Sequence, residues 1–196
     1  MIQSVCIYCS SSTRIDAVYT EAARQLGTIL GKRNLHVING AGSIGLMRVI
    51  SDAALKAGGT VTGVIPRFMV KNGWGYSELT KTIEVETMHE RKQTMADLSD
   101  AVIAMPGGYG TLEELLEIIT WKQLGLYRNP IVILNTNQYF DPLLTMFRRA
   151  VDEHFIHHQH ALLWKVAETP EKAVELIVET DTVEYFSKIH GNNLFC

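Results

Sequence analysis

Short apolar runs alternate with stretches of helical period along this chain, and that alternation predicts an α/β fold: a Rossmann-like, doubly wound parallel sheet with helices on both faces. Two further observations support it. The runs at 4–9, 60–65, 101–105 and 131–135 contain no charged residue, as strands buried on both faces require. Serine- or glycine-rich turns follow the runs at 4–9, 35–39 and 101–105, where open parallel sheets place their ligands. At 196 residues with 46% hydrophobic content the chain suits one core, so 1–196 is read as a single domain.

The first strand, 4–9, carries Cys6 and Cys9 at C-x-x-C spacing. Positions i and i+3 of a strand face opposite sides, so the pair is read as strand residues rather than a redox or zinc site. Cys196 is read as a mobile terminal thiol. Ser10, Ser11, Ser12 and Thr13 follow, with hydroxyls suited to phosphate, to ribose, or to capping the helix at 16–32. After the strand 35–39, the stretch 40–47 turns into a helix running to 57. Its Gly40, Gly42 and Gly45 match a dinucleotide fingerprint, but the acid expected about 20 residues on, at a strand end, is missing from 60–65. Pro66 ends that third strand, and 67–81 reads as an irregular connection. Within it, Trp74 either stacks on a purine or pins the loop to its own domain.

A strand at 83–87 precedes a helix opening at Met88 and running to about 99. The strand 101–105 and a helix at 112–125 follow. Then come a strand at 131–135 and a helix at 141–154, capped by Asp141 with Pro142 in its first position. A short strand near Val166 and a closing helix at 170–179 complete the chain.

The turn after 101–105 concentrates the chemistry. Gly107, Gly108 and Gly110 permit positive φ and remove Cβ atoms that would hold a ligand away from backbone N–H groups. Thr111 is expected to cap the next helix, with Glu114 at capping-box spacing. A helix N-terminus carries about half a unit of positive charge and several unpaired N–H groups, so phosphate is the natural anion for it. The core stripe of this helix is expected at Leu112, Leu115, Leu116, Ile119 and Leu126. Glu114 then lies off the stripe, near Ile118 and Trp121, placed to meet the sugar of a nucleotide. Glu113 reads as a complement to the helix dipole. Upstream, Arg91 and Lys92 either form a solvated face or offer a planar fork and a point charge to phosphate.

The string MHERK at 88–92, followed by a strand and PGGYGTLEE at 106–114, resembles the Lonely Guy family of cytokinin riboside 5′-monophosphate phosphoribohydrolases, often labelled lysine decarboxylase. The resemblance runs from the first strand to the helix after Asp141. It implies that Arg91 and Glu114 are the catalytic pair and that Gly107, Gly108, Tyr109, Gly110 and Thr111 form a phosphate loop. It also implies that Ser10, Ser11, Gly42, Met88, Lys92 and Glu113 belong to the substrate site. The chain departs from the family at Ala41 and Arg48, where glycine is usual, and at Lys71, Asn72 and Gly73, where many members carry an acid.

The implied reaction is hydrolysis of the N-glycosidic bond of a purine nucleoside 5′-monophosphate, of cytokinin type or AMP, giving free base and ribose 5-phosphate. No metal or organic cofactor is expected. The alternative is a nucleotide-binding or carrier module of the same fold without hydrolysis. Trp121 and Leu124, opposite the expected core stripe, are covered either by a neighbouring helix of the same chain or by a second copy; the resemblance, to a family whose members are typically dimers, implies a homodimer with that helix near the contact.

Net charge is −3, which leaves no basic footprint for nucleic acid or an anionic membrane. No run reaches the roughly 18 apolar residues of a membrane helix, and a strand begins almost at once without a basic leader, so a cytoplasmic protein is expected. His154, His157, His158 and His160 lack a metal-ligand pattern and are read as cations past a helix end. No G-x-S-x-G elbow is present.

Overall fold

The structure, a computed structural model, describes residues 1–179; Cys196 lies outside the described residues. Among the described residues, seven strands form one parallel sheet: β1 (Ser4–Tyr8), β2 (His36–Asn39), β3 (Val61–Pro66), β4 (Lys81–Val85), β5 (Ala101–Ala104), β6 (Ile131–Leu134) and β7 (Lys165–Ala167). The spatial order is β4-β3-β2-β1-β5-β6-β7, with every neighbouring pair parallel. Succession runs outward from β1 to β4, then returns to the other side of β1. That reversal opens a crevice at the carboxyl ends of β1 and β5.

Helices cover both faces, as the uncharged strand runs require. On one face α1 (Ala17–Lys32), α2 (Gly45–Lys56) and α7 (Pro170–Val178) bury Leu26, Leu30, Ile50 and Ile177 against Val5, Ile7 and Val37. On the other, α4 (Met88–Asp97), α5 (Tyr109–Gln123) and α6 (Asp141–Asp152) bury Met95, Leu115, Ile118 and Leu144 against Cys6, Tyr8 and Val102. Cys6 and Cys9 therefore belong to opposite layers.

Several local expectations are corrected. The connection after β3 is not wholly irregular: Arg67–Lys71 forms the short helix α3. Asp141 does not cap α6, which follows Phe140. Its carboxylate instead accepts a hydrogen bond from Asn135 Nδ2 at 2.8 Å. The largest shift is in α5, which begins at Tyr109, not Leu112. That start makes Thr111 the third helical residue, facing inward, so it cannot be the cap. The buried side of α5 is then Thr111, Leu115, Ile118 and Lys122, while Leu116 and Leu126 face outward. The threonine-to-glutamate capping spacing is used at α4 instead. There Thr87 Oγ1 accepts from Glu90 N at 3.0 Å, and the Glu90 carboxylate accepts from Glu86 N at 2.8 Å.

Candidate active site

The loops after β1, β2 and β5 meet over the reversal point. Ser10 N donates to Pro106 O at 3.3 Å, and Leu46 N, in the first turn of α2, donates to Ser10 O at 2.9 Å. Between them lies a cleft of about 880 Å³. Ser10 and Ser11 line it from β1, and Gly42 from the turn into α2. Gly108, Tyr109, Gly110 and Thr111 line it from the start of α5, and Arg91 and Glu114 close its inner end. The N-termini of α2 and α5 both open onto this space without a side-chain cap; in α2 Leu46 N is already taken by Ser10 O, so the start of α5 is the one better placed to offer N–H groups and partial positive charge to a ligand.

Of the two purposes expected of the glycines in the α5 loop, positive φ is not used: none of Gly107, Gly108 and Gly110 adopts it. A Cβ at Gly108 or Gly110 would meet no protein atom within 4 Å, so what their lack of a side chain keeps open is the ligand's space. At Gly107 the constraint is internal: a Cβ would lie 2.1 Å from Thr111 Oγ1.

Arg91 projects from the capped first turn of α4 and is almost fully buried. Its Nε donates to Val64 O at 3.0 Å and its Nη2 to Gly40 O at 3.1 Å, so carbonyls from β3 and from just beyond β2 grip one edge of the guanidinium. Gly40 permits this approach, since a Cβ there would lie 1.6 Å from Nη2. The remaining Nη1 faces Glu114 Oε1 at 3.8 Å. Neither Gly40 nor Val64 stood out as a partner of Arg91 in the sequence; both act through a main-chain oxygen, which any residue supplies.

Glu114 sits one turn inside α5 with its side chain 11% exposed. Burial pushes its carboxyl up to about 7; Arg91 opposes that shift, and the negative charge of Glu113 adds to it. A carboxylate poised near neutrality beside a fixed guanidinium can stabilise developing positive charge or hold a hydroxyl.

Other candidates lie elsewhere. Lys92 does not line the cleft; it is buried between α4 and α5, where Nζ pairs with Glu113 and, at 3.0 Å, with Glu117. Burial works to lower its ammonium pKa, but hydrogen bonds to those two carboxylates outweigh that and raise it. Glu113 likewise points to Lys92 and not into the cleft. Met88 reaches the site only through Arg91, whose Nη1 lies 3.9 Å from Sδ. Gly107 is buried behind the loop it begins.

Trp74 does line the cleft while half exposed, and its carbonyl accepts from Ser43 N at 3.0 Å. Arg48 is not in the cleft wall: its guanidinium lies 5.2 Å from the Tyr76 ring centroid and 3.5 Å from Asp52, tying that loop to α2. Apolar wall residues that sequence reading did not single out include Ile65, Met69 and Met95. They are indistinguishable in sequence from ordinary core positions. Of the histidines beyond α6, His157 meets His158 and His160 in tilted ring contacts at 4.3 and 5.8 Å between centroids, and none of them lines the cleft.

A family model described as possible lysine decarboxylase matches residues 47–177. The probable cytokinin riboside 5′-monophosphate phosphoribohydrolase LOGL2 of Oryza sativa subsp. japonica is 42% identical over 175 residues, covering 89% of this chain and 72% of the relative. The cytokinin riboside 5′-monophosphate phosphoribohydrolase LOG7 of Arabidopsis thaliana is 46% identical over 152 residues, covering 78% and 70%. Among solved structures, the molybdenum cofactor binding protein from Rippkaea orientalis superposes with a TM-score of 0.68 at 23% identity, over 91% of this chain and 96% of that one. This last likeness is one of fold.

Proposed function

The chain belongs to the Lonely Guy family, and on that premise we propose that it hydrolyses the N-glycosidic bond of purine nucleoside 5′-monophosphates, of cytokinin type or AMP. The observation that carries this reading is the convergence of Arg91, Glu114 and the uncapped start of α5 on one cleft. The 5′-phosphate is taken by the N–H groups of the loop at 107–111, aided by the hydroxyls of Ser10 and Ser11. The apolar wall with Trp74 receives the base.

As the C1′–N bond breaks, its electron pair leaves with the base and positive charge develops on the ribose ring. The ionised Glu114 carboxylate stabilises that charge and holds a ribose hydroxyl or the incoming water. Water oxygen bonds to C1′, its proton passes to the departing base, and the products are free base and ribose 5-phosphate. Arg91, gripped by two carbonyls, orients the nucleotide and assists the leaving base. Lys92 supports the site from behind by holding Glu113 and Glu117.

We read the whole chain as one domain that acts in the cytoplasm as a homodimer. No described helix is long and apolar enough to cross a membrane, and Cys6 and Cys9 are free thiols. The outward side of α5 and the residues just beyond it support the dimer, through Leu124 as first expected but not through Trp121. Ile118 is buried and Trp121 packs on the core, whereas Leu116, Leu124 and Leu126 are exposed.

Chromatography of free base released from a panel of purine monophosphates tests the reading. Release from AMP or an N6-substituted analogue, and little from the matching nucleosides, is the expected pattern. Nucleotide binding without release from any of them would replace hydrolysis by carriage.

A further inference from the structure

The phosphate loop is held from outside the cleft by a residue far along the chain. Tyr139 Oη donates to Gly107 O at 2.7 Å, and Tyr139 itself does not line the cleft. Its ring is fixed edge-on to two others, Tyr19 of α1 at 5.8 Å and Phe140 at 5.1 Å between centroids.

The backbone leading to it is strained. Asn137 and Gln138, neither of them glycine, adopt φ of 53° and 59° in succession. Such residues persist in the left-handed region only where their surroundings hold them. Asn135 supplies that hold: its Oδ1 accepts from Phe140 N at 2.7 Å, its Nδ2 donates to Asp141, and its own N donates to Ala167 O at 2.7 Å. A strained turn is thus clamped at both ends and delivers one hydroxyl to one carbonyl.

A trans peptide unit is planar, so its C=O and N–H point in opposite directions. Fixing Gly107 O on Tyr139 therefore turns the Gly108 N–H away from Tyr139, and Gly108 is a residue of the cleft wall. Glycine stands on both sides of that peptide, so no Cβ resists its rotation.

We infer that Tyr139 is a positioning residue for substrate, setting the Gly107–Gly108 peptide so that the Gly108 N–H is presented to the 5′-phosphate. The inference rests on the phosphate-loop reading above. It assigns to the turn after β6 a share in the affinity for the phosphorylated sugar and none in the affinity for the base.

Calorimetric titration of the parent protein and Tyr139→Phe with ribose 5-phosphate, and separately with adenine, tests this. The phenylalanine keeps both ring contacts and removes only the hydroxyl. Affinity for ribose 5-phosphate is expected to fall roughly tenfold, with adenine affinity and the urea midpoint little changed. Equal ribose 5-phosphate affinity in the two proteins overturns the inference and leaves the phosphate-loop reading intact. A parallel loss for adenine and ribose 5-phosphate also overturns it, by making Tyr139 a general support. Failure of the parent to bind ribose 5-phosphate removes the phosphate-loop reading, and this inference with it. As a second readout, the Gly108 amide resonance should shift on adding ribose 5-phosphate to the parent and shift less in Tyr139→Phe; an equal shift in both contradicts the inference.

Discussion

Arg91 Nη1 stands 3.8 Å from Glu114 Oε1, beyond hydrogen-bond reach, while the other edge of the same guanidinium is bonded to Val64 O and Gly40 O at 3.0 and 3.1 Å. The cation is fixed and the carboxylate is not saturated by it. Glu114 thus keeps oxygen lone pairs for a ribose hydroxyl or water. Its substitution by Gln preserves shape and removes charge, so Glu114→Gln should lose base release by at least about 10²-fold while AMP still binds. Near-parental turnover in that variant would remove Glu114 from the chemistry.

The raised carboxyl gives a pH dependence of definite sign. With Glu114 pushed up to about 7, the active carboxylate is the minor form below that pH. kcat/KM for AMP should rise as pH is brought from 6 to 8 and then level off. Stability runs the other way. A carboxyl whose pKa is higher folded than unfolded contributes stability in acid, below the unfolded value, and loses it as pH rises through 7. Glu114→Gln should therefore be more stable than the parent at pH 8, by roughly 1–3 kcal/mol in unfolding free energy and with a higher melting temperature, the difference shrinking toward pH 5. A melting difference that grew on acidification would contradict the burial argument.

Gly40→Ala tests the grip on Arg91 without touching Arg91. The new Cβ would meet the far end of a flexible side chain, so the guanidinium is displaced and the strand is spared. Turnover should drop about 10²-fold, and the unfolding midpoint should fall as well, because the displaced guanidinium loses buried carbonyl partners. Retained activity would mean that the carbonyl contact at Gly40 is dispensable.

Lys92→Ala should leave KM for AMP almost unaltered, because the ammonium group is spent on Glu113 and Glu117. Removing it strips Glu114 of a cation that lowers its pKa, so the pH–rate curve should move to higher pH. A large rise in KM with an unmoved curve would restore Lys92 to direct substrate contact.

Light scattering at micromolar concentration should give a dimer mass that Leu116→Glu reduces to a monomer. Leu116 is exposed on α5, whereas Trp121 packs inward and its replacement would chiefly cost stability. A monomeric parent protein would rule out the dimer.

What could be read in advance followed the distance over which each feature is encoded. Strand runs without charge, and glycine turns at their ends, are local signals, and the parallel sheet and its crevice followed from them. The motifs at 88–92 and 106–114 likewise mark the cleft. Lys92 was misread because its partners lie on another helix, and no spacing along the chain reveals that α4 and α5 present these groups to one another. Gly40 matched a fingerprint spacing that the missing acid discounted, and its use, to admit Arg91 from 51 positions away, has no signal along the chain. Thr111 and Glu114 satisfied a capping pattern, and a three-residue change in where α5 begins turned the first into an inward-facing wall residue.

The order of the strands also governs how the molecule is made. β1 pairs with β5, and Ser4 and Asp100 are cross-bonded through both backbone and side chain. During synthesis at roughly 5–20 residues per second, β1 emerges on the order of ten seconds before its second neighbour exists. A nascent chain that stops short of β5 has no cleft, and one edge of the apolar, five-residue strand β1 is unpaired. The edge stays open for as long as β5 is missing, so slowing translation between β4 and β5 should lower soluble yield without altering the purified product.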